Sequence, residues 1–258
     1  MRRVIVSARC RFAVAVVLLA ALGLGTKPVF AATGPFSIFM IVWRGCEDAC
    51  RGFKDYVRER GFATEVVVRD AARDRSALPG FVREARERRA DLVVTWGTSV
   101  TRGVVGAMDA VDPETHITDI PAVFMIVADP VGARIVTNYD SSGRANVTGT
   151  RNRVPEAVQM KAIRAYRPFQ RLGLVYNKNE LNSVLNAEKI ANLAAVMGFE
   201  LVTHALPLRE NGKPSADDIP AALHAMKRAE VEFVYVGSSS FLMANRDRFT
   251  REALEMGL

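Results

Sequence analysis

The stretch DLVVTWGTS, residues 91–99, decides how the rest of the chain is interpreted. Asp91–Trp96 is a short, largely apolar run, which is typical of a strand covered on both faces of a sheet. Gly97, Thr98 and Ser99 follow it directly, and small polar residues of this kind are preferred where a strand turns into a helix. The stretch therefore predicts one strand–turn–helix unit.

The same alternation extends in both directions along the chain. Apolar stripes predict helices over 49–57, 78–85 and 219–229, and Gly61 and Gly198 stand where a left-handed residue ends a helix. The predicted strands are Phe36–Trp43, Thr64–Val68, Asp91–Trp96, Ala122–Val127, Arg171–Tyr176, Glu200–His204 and Val231–Val236. Strand–helix–strand alternation of this length predicts an α/β fold with mostly parallel sheets.

One segment interrupts the alternation. Residues 131–155 are rich in Gly, Ser, Asn and Arg, with about four strand–helix units before them and about three after them. We interpret the segment as a crossover between an N-terminal lobe (32–150) and a C-terminal lobe (151–258), although a long surface loop within one domain would read the same way. Because the sequence ends after one more predicted helix, Phe241–Met256, we expect the second lobe to be truncated.

The N-terminus has the features of an export signal. Arginines at 2, 3, 9 and 11 precede an apolar stretch, Phe12–Gly25, and small residues at 29–31 suit a signal peptidase. About 14 apolar residues are too few to span a bilayer. Residues 1–31 are therefore predicted to be a cleaved signal peptide, which places the mature protein in the periplasm.

This assignment removes most of the basic character of the chain. Of the 35 basic residues, five precede Ala32, so 30 remain against 28 acidic residues and the net charge of the remainder is +2. A strongly basic chain would suggest a nucleic-acid partner. The sequence beyond the signal gives no such indication, and we expect no nucleic acid as a partner.

Two cysteines, Cys46 and Cys50, follow the predicted signal. They lie one helical turn apart in a protein expected in an oxidising compartment, where a disulfide is possible. Two small, half-buried side chains on one helix face would read equally well. No histidine lies near them in the sequence, so we expect no metal site.

Ligand-binding residues are expected at the carboxyl ends of the parallel strands. Serine, threonine and asparagine recur at these positions in both halves of the chain, although each can also be a simple helix cap, and the neighbouring aromatic residues Trp43, Tyr176 and Phe241 can also belong to the core. The predicted ligand-binding residues are Trp43, Arg44, Gly97, Thr98, Ser99, Asp129, Tyr176, Asn177, Ser183, Ser238 and Ser239.

The sequence carries no recognised motif for catalysis or cofactor binding. The segment Gly237–Ser240 is not the G-x-S-x-G turn of a hydrolase, and no histidine stands close to a candidate nucleophile in the sequence. Phosphate-binding and dinucleotide-binding glycine motifs are absent from the sequence. The sequence therefore predicts a binding protein without a cofactor and without enzymatic activity.

Four segments resemble a known family. They are similar to segments of the ABC transporter substrate-binding proteins with a two-lobed, type I periplasmic-binding fold. Within that family they resemble the group that includes tryptophan- and tyrosine-type binding proteins. The four segments are Val94–Thr98, Ile120–Ala133, Asn146–Gly149 and Leu172–Asn177. One departure is Ser142–Ala145, where members of the family usually carry a Pro-Gly-Gly turn.

The resemblance implies a monomeric solute receptor that delivers a small molecule, such as an amino acid or a related carboxylate, to a membrane permease. Arg44 in the first ligand loop suggests an acidic group on that solute. A periplasmic sensor for a membrane signalling protein would have the same fold, and a secreted α/β hydrolase is a third hypothesis. Members of the family continue for several further elements, which is a second reason to expect a truncated lobe.

Overall fold

The apolar runs form two separate parallel sheets in the computed structural model, which describes residues 34–258. The predicted signal peptide lies outside these residues. None of the helices in the described part is both long and apolar enough to cross a membrane. The α/β class and the arrangement as two sheets agree with the sequence prediction, while the lobe boundary at residue 150 stays a prediction.

The first sheet has the order β2-β1-β3-β4-β5. Its strands are β1 (Phe36–Val42), β2 (Thr64–Asp70), β3 (Leu92–Trp96), β4 (Ala122–Val127) and β5 (Val147–Arg151). Alternate residues of β1 enter two different hydrophobic cores, Phe39 and Ile41 on one face and Met40 and Val42 on the other. β1, an interior strand of the sheet, is thus covered on both faces, which explains its continuous apolar run.

The helices beside this sheet are α1 (Asp48–Glu59), α2 (Leu78–Glu87), which follows a short 3₁₀ turn, and α3 (Thr98–Val105). Leu78, Val82 and Ala85 of α2 are buried, as the predicted stripe requires. In α1 the stripe is only partly correct, because Tyr56 is exposed. Gly61 has a φ of +66°, in keeping with the left-handed position predicted after α1.

The prediction was wrong within the segment 131–155, where it placed no strand. β5 pairs with β4 and completes the edge of the first sheet. Only Val147 of this strand is buried, and the three residues that follow are exposed. An edge strand of this kind carries no apolar run, so hydrophobic periodicity could not reveal it.

The second sheet has the order β7-β6-β8. Its strands are β6 (Arg171–Tyr176), β7 (Glu200–Ala205) and β8 (Phe233–Val236), and its helices are α4 (Glu156–Tyr166), α5 (Leu181–Met197), α6 (Ile219–Arg228), α7 (Ser240–Ala244) and α8 (Arg246–Glu255). We call this sheet with its helices the second lobe, and the first sheet with α1–α3 the first lobe. The helix predicted over 241–256 is two helices, because Asn245 leaves helical geometry and its side chain binds the Phe241 carbonyl.

Gly149 in β5 permits the close approach of β5 to β4. A Cβ atom at this position would lie 2.3 Å from the Phe124 ring and 2.4 Å from the Phe124 carbonyl oxygen. The carbonyl belongs to the backbone and cannot move aside without disturbing the strand pair. We therefore expect Gly149→Ala to lower the free energy of unfolding by about 1–3 kcal/mol.

Denaturant unfolding monitored by circular dichroism measures this effect. Gly52→Ala is the matched control, since Gly52 lies inside α1 with open space around its Cα atom. Alanine there should raise the free energy of unfolding by about 0.5–1 kcal/mol. Equal responses of the two variants would contradict the packing argument.

Candidate ligand-binding cleft

A cavity of about 710 Å³ lies between the lobes, at the carboxyl ends of strands from both sheets. We call it the cleft. The side chains around it come from the turns after β1, β3, β4, β5 and β8 and from the helices α4, α5 and α7. Its lining residues are Trp43, Arg44, Glu47, Trp96, Gly97, Thr98, Ser99, Ile126, Ala128, Asn152, Arg153, Val154, Val158, Gln159, Ala162, Asn182, Val236, Gly237, Ser238, Ser239, Ser240 and Met243.

On the first lobe, the cleft meets the start of α3. Gly97 precedes this helix with a φ of +87°, and no side chain caps the helix. The first N–H groups of an α-helix have no partner within the helix, and the helix dipole favours negative charge beside them. The start of α3, with Thr98 and Ser99 on the cleft wall, can therefore receive an oxygen atom of an acidic ligand.

Two buried hydroxyl groups hold this turn in place. The hydroxyls of Thr95 and Thr101 lie 2.9 Å apart, and Thr101 also donates to the Gly97 carbonyl at 2.8 Å. Both threonines are fully buried. The turn that presents the helix N-terminus is thus fixed from inside the first lobe.

Two tryptophans at strand ends border the cleft from the first lobe: Trp43 is partly exposed, whereas Trp96 is 5% exposed and packs mainly in a hydrophobic core. Trp43 follows β1 and Trp96 ends β3. Ile126 joins them through an irregularity in the pairing of β4 with β5, where it adopts a φ of +56°. A β-branched residue rarely takes this conformation, and bulges of this kind redirect side chains beside functional sites.

On the second lobe, the predicted turn Gly237–Ser240 also reaches the cleft, but its helix start is already occupied. The Glu180 carboxylate accepts hydrogen bonds from the N–H groups of Ser240 (2.8 Å) and Phe241 (3.1 Å), and the Ser239 hydroxyl accepts from Leu242. The backbone donors of α7 are therefore satisfied internally. What this turn offers a ligand is side chains.

Asn182 fixes the same turn from α5. Its amide donates to the carbonyl and the hydroxyl oxygens of Ser238, at 2.9 and 3.2 Å. The Ser238 N–H in turn donates to Asn186 at 3.2 Å. Gly237 allows this arrangement, because a Cβ atom there would lie 2.1 Å from the Asn186 amide oxygen.

Two arginines stand on the wall in different circumstances. Arg44 of the first lobe donates to the Glu47 carboxylate at 2.9 Å and to the Ser240 carbonyl of the second lobe, so it spans the cleft. Arg153 donates to the Tyr235 hydroxyl at 2.7 Å, and its Nε atom is buried without a hydrogen-bond partner. The Tyr235 hydroxyl donates a hydrogen bond to the Gln159 side-chain oxygen at 2.9 Å, which fixes the orientation of the phenol.

The structure brings seven of the predicted ligand-binding residues to the cleft and leaves four elsewhere. Trp43, Arg44, Gly97, Thr98, Ser99, Ser238 and Ser239 line it, whereas Asp129, Tyr176, Asn177 and Ser183 do not. Ser183 and Asn177 are buried and bound to each other, the Asn177 N–H donating to the Ser183 hydroxyl at 3.0 Å. Phe241, an aromatic residue considered for ligand contact, belongs to the hydrophobic core of the second lobe.

Sequence reasoning missed several lining residues, among them Trp96, Arg153 and Asn182. Trp96 stands directly before Gly97 at the end of a predicted strand, so its position was a usable signal. Arg153 follows β5, the strand that the sequence did not reveal. Its place at a strand end was therefore hidden as well.

Cys46 and Cys50 form a disulfide, with their Cα atoms 5.2 Å apart. Of the two interpretations that the sequence left open, the structure contains the cross-link. Cys50 is fully buried in α1, and Cys46 lies in the loop that carries Arg44 and Glu47. The bond therefore ties a cleft-lining loop to the first turn of α1.

Asp129 joins the two lobes instead of lining the cleft. Its carboxylate lies 2.6 Å from the Lys189 ammonium group of α5, and it accepts from the Tyr139 hydroxyl and the Gly132 N–H, both at 3.0 Å. Burial alone would raise the pKa of Asp129, but the hydrogen bond from Lys189 and the other donors outweigh burial and hold the pKa below its ordinary value.

An α/β fold of two parallel sheets with a cleft at their carboxyl ends defines the class of two-lobed solute-binding proteins. Residues 38–242 match the family model described as ABC transporter substrate binding protein, and the chain belongs to that family. The resemblance read from the sequence is thereby confirmed, as is the type I periplasmic-binding fold.

The chain is also similar, at low sequence identity, to individual proteins and solved structures. A tyrosine-binding protein of Clostridioides difficile is 22% identical over 138 residues, which are 53% of this chain and 37% of that protein. A conserved domain protein of Vibrio cholerae matches 85% of this chain and 71% of its own at a TM-score of 0.69 and 20% identity. An ABC domain of Streptococcus pneumoniae in complex with L-Trp matches 86% and 72% at a TM-score of 0.68 and 20% identity.

The pair of Asp129 and Lys189 should make stability depend on pH. The lowered pKa of Asp129 gives a contribution that is complete above the ordinary value of 3.8 and is lost as the pH falls through the lowered one. The raised pKa of Lys189 gives a contribution that is complete below 10.5 and is lost as the pH rises through the raised value. We expect Asp129→Asn to lower the free energy of unfolding near pH 7 by about 1–3 kcal/mol.

The measurement is thermal unfolding between about pH 1.5 and pH 5, where the wild type should lose stability more steeply than Asp129→Asn as the pH falls through the lowered pKa of Asp129. Asp140→Asn is the control, because Asp140 is exposed and its carboxylate takes part in no hydrogen bond or ion pair described in the structure. Parallel pH curves for wild type and Asp129→Asn would contradict the assignment.

Proposed function

We propose that this protein is the periplasmic solute-binding component of an ABC importer, and that it holds a small aromatic or amino-acid-like carboxylate in the cleft. The observation that carries the proposal is the position of the only two tryptophans of the sequence, Trp43 and Trp96, on the wall of one cavity beside the uncapped start of α3. An aromatic surface next to free N–H donors suits a planar apolar group that carries an acid.

The names of relatives support the same solute class. One relative is a tyrosine-binding protein and one structural neighbour was solved with L-Trp. A further neighbour, from Rhodopseudomonas palustris, was solved with 3,4-dihydroxybenzoic acid, at a TM-score of 0.60 and 15% identity. All three ligands join an aromatic ring to a carboxylate.

The cleft favours binding over catalysis. Among the lining residues of the described chain there is no histidine, and the one lining carboxylate, Glu47, is paired with Arg44 at 2.9 Å. The Ser238 hydroxyl faces an asparagine amide and has no general base beside it. We therefore favour a receptor that acts as a monomer, performs no chemistry on its solute and passes it to a membrane permease.

The two tryptophans provide the test. Titration with aromatic amino acids and aromatic acids should change the tryptophan emission and raise the melting temperature of the protein. Leucine and glucose serve as comparison solutes. No response to any aromatic acid or amino acid at millimolar concentration would contradict the proposed function.

Trp43→Leu should weaken the binding of whichever aromatic solute responds by about tenfold, because the aromatic contact is lost while apolar bulk is kept. Isothermal titration calorimetry measures the change without depending on the removed fluorophore. Tyr166→Leu is the matched control, since Tyr166 is 85% exposed at the end of α4 and lies outside the cleft. An unchanged dissociation constant in Trp43→Leu would place the solute elsewhere.

A further inference from the structure

The charges on the cleft wall are unbalanced. In the described part of the chain, the ionic side chains that line the cleft are Arg44, Glu47 and Arg153. Arg44 and Glu47 neutralise each other across 2.9 Å. Arg153, which lies between β5 and α4 and donates to Tyr235 of the second lobe, therefore leaves the wall with a net positive charge.

The buried carboxylates near Arg153 do not remove this charge. Glu156 lies 3.8 Å from Arg153 and 3.7 Å from Arg151, so one carboxylate stands between two guanidinium groups. Glu180 is turned inwards and accepts the N–H groups that begin α7. Both glutamates are more than nine-tenths buried, and neither lines the cleft.

Among the described lining residues, an amino acid finds partners for its carboxylate but no free carboxylate for its ammonium group. Its carboxylate can meet Arg153 or the start of α3, but its ammonium group needs a carboxylate or several carbonyl oxygens once it leaves water. No aspartate lines the described cleft, and its one glutamate is already paired with Arg44. A zwitterion would therefore be desolvated against a wall that is already positive.

We infer that the preferred solute is an apolar or aromatic carboxylate without an ammonium group, and that Arg153, in the connection between β5 and α4, binds its acid group. The inference rests on the proposed function and specifies its substrate class. Val154, Val158 and Met243 stand on the wall of the second lobe with exposed apolar side chains, while Trp43 and Trp96 stand on the wall of the first. A ring between these surfaces is contacted from both sides.

Tyr235 is the positioning residue for Arg153. Its hydroxyl accepts the Arg153 Nη2 hydrogen bond at 2.7 Å and donates to Gln159 at 2.9 Å. Tyr235 is itself mostly buried and is not part of the cleft lining. It acts on the solute only through the orientation of the guanidinium group.

Three matched probes test the inference by calorimetry on the full chain. Indole-3-propanoate carries the acid alone, L-tryptophan carries the acid and an ammonium group, and indole-3-propanamide carries no charge. We expect indole-3-propanoate to bind at least about tenfold more tightly than either of the others. L-Tryptophan binding as tightly as the propanoate or more tightly would overturn the inference and leave the proposed function standing. Silence of the propanoate at millimolar concentration would overturn the inference, whereas silence of the whole aromatic panel would overturn the function.

Two substitutions separate the role of Arg153 from general damage. Arg153→Gln should weaken the propanoate by about tenfold or more and change the amide by less than about twofold, since only the charged acid uses the guanidinium group. Arg167→Gln removes the same charge from an exposed position outside the cleft and should change neither. Equal losses for the propanoate and the amide would assign Arg153 a purely structural role.

Tyr235→Phe keeps the ring and removes only the hydroxyl group, so it covers the case in which Arg153→Gln fails to fold. It should weaken the propanoate by about threefold to tenfold while the affinity for the amide stays constant. An unchanged affinity for the propanoate in a folded Tyr235→Phe protein would remove Tyr235 from the proposal. If Arg153→Gln does not fold, that same result would overturn the role of Arg153.

Discussion

Parallel strand pairing is the constraint on which the site depends. In a parallel sheet every strand ends at the same edge, so the turns that follow successive strands lie close together there even though they are far apart in the sequence. Trp43, Thr98 and Ala128 are far apart in the chain and meet because β1, β3 and β4 are parallel neighbours. The second sheet brings Ser238 to the same cavity by the same rule.

The two lobes meet the cleft with different chemistry. The first lobe presents an uncapped helix start and aromatic surface. The second lobe has used its own helix start internally, because the Glu180 carboxylate occupies the N–H groups that begin α7. A buried carboxylate at this place is itself matched by backbone donors and needs no ligand. For the proposed acidic solute, the matching groups are therefore the N–H groups that begin α3 and the guanidinium group of Arg153.

Much of this arrangement could be predicted from the sequence, and the failures have physical causes. Strands buried on both faces, such as β3, leave an unbroken apolar run. All seven predicted strands are present, and two of them, β2 and β7, are only partly buried. β5 escaped because an exposed edge strand needs no apolar residues, and Arg153 was missed as a site residue along with it. Asp129 is an incorrectly predicted site residue. Its position after β4 is typical of a ligand contact, and only the three-dimensional position of Lys189 on the second lobe shows that it forms an ion pair instead.

The contacts between the lobes suit a structure that opens and closes. Each lobe has hydrophobic cores of its own, and three links between the lobes are polar: Asp129 with Lys189, Arg44 with the Ser240 carbonyl, and Arg75 with the Asn179 carbonyl. An apolar contact between the lobes lies in the N-terminal part of α5, where Leu181 and Leu185 pack against the core of the first lobe. Polar links can exchange their partners for water at small net cost, whereas a shared core could not separate without exposing apolar surface. One of these links, Arg44, also lines the cleft, so the same guanidinium group borders the proposed solute site and binds the Ser240 carbonyl of the second lobe.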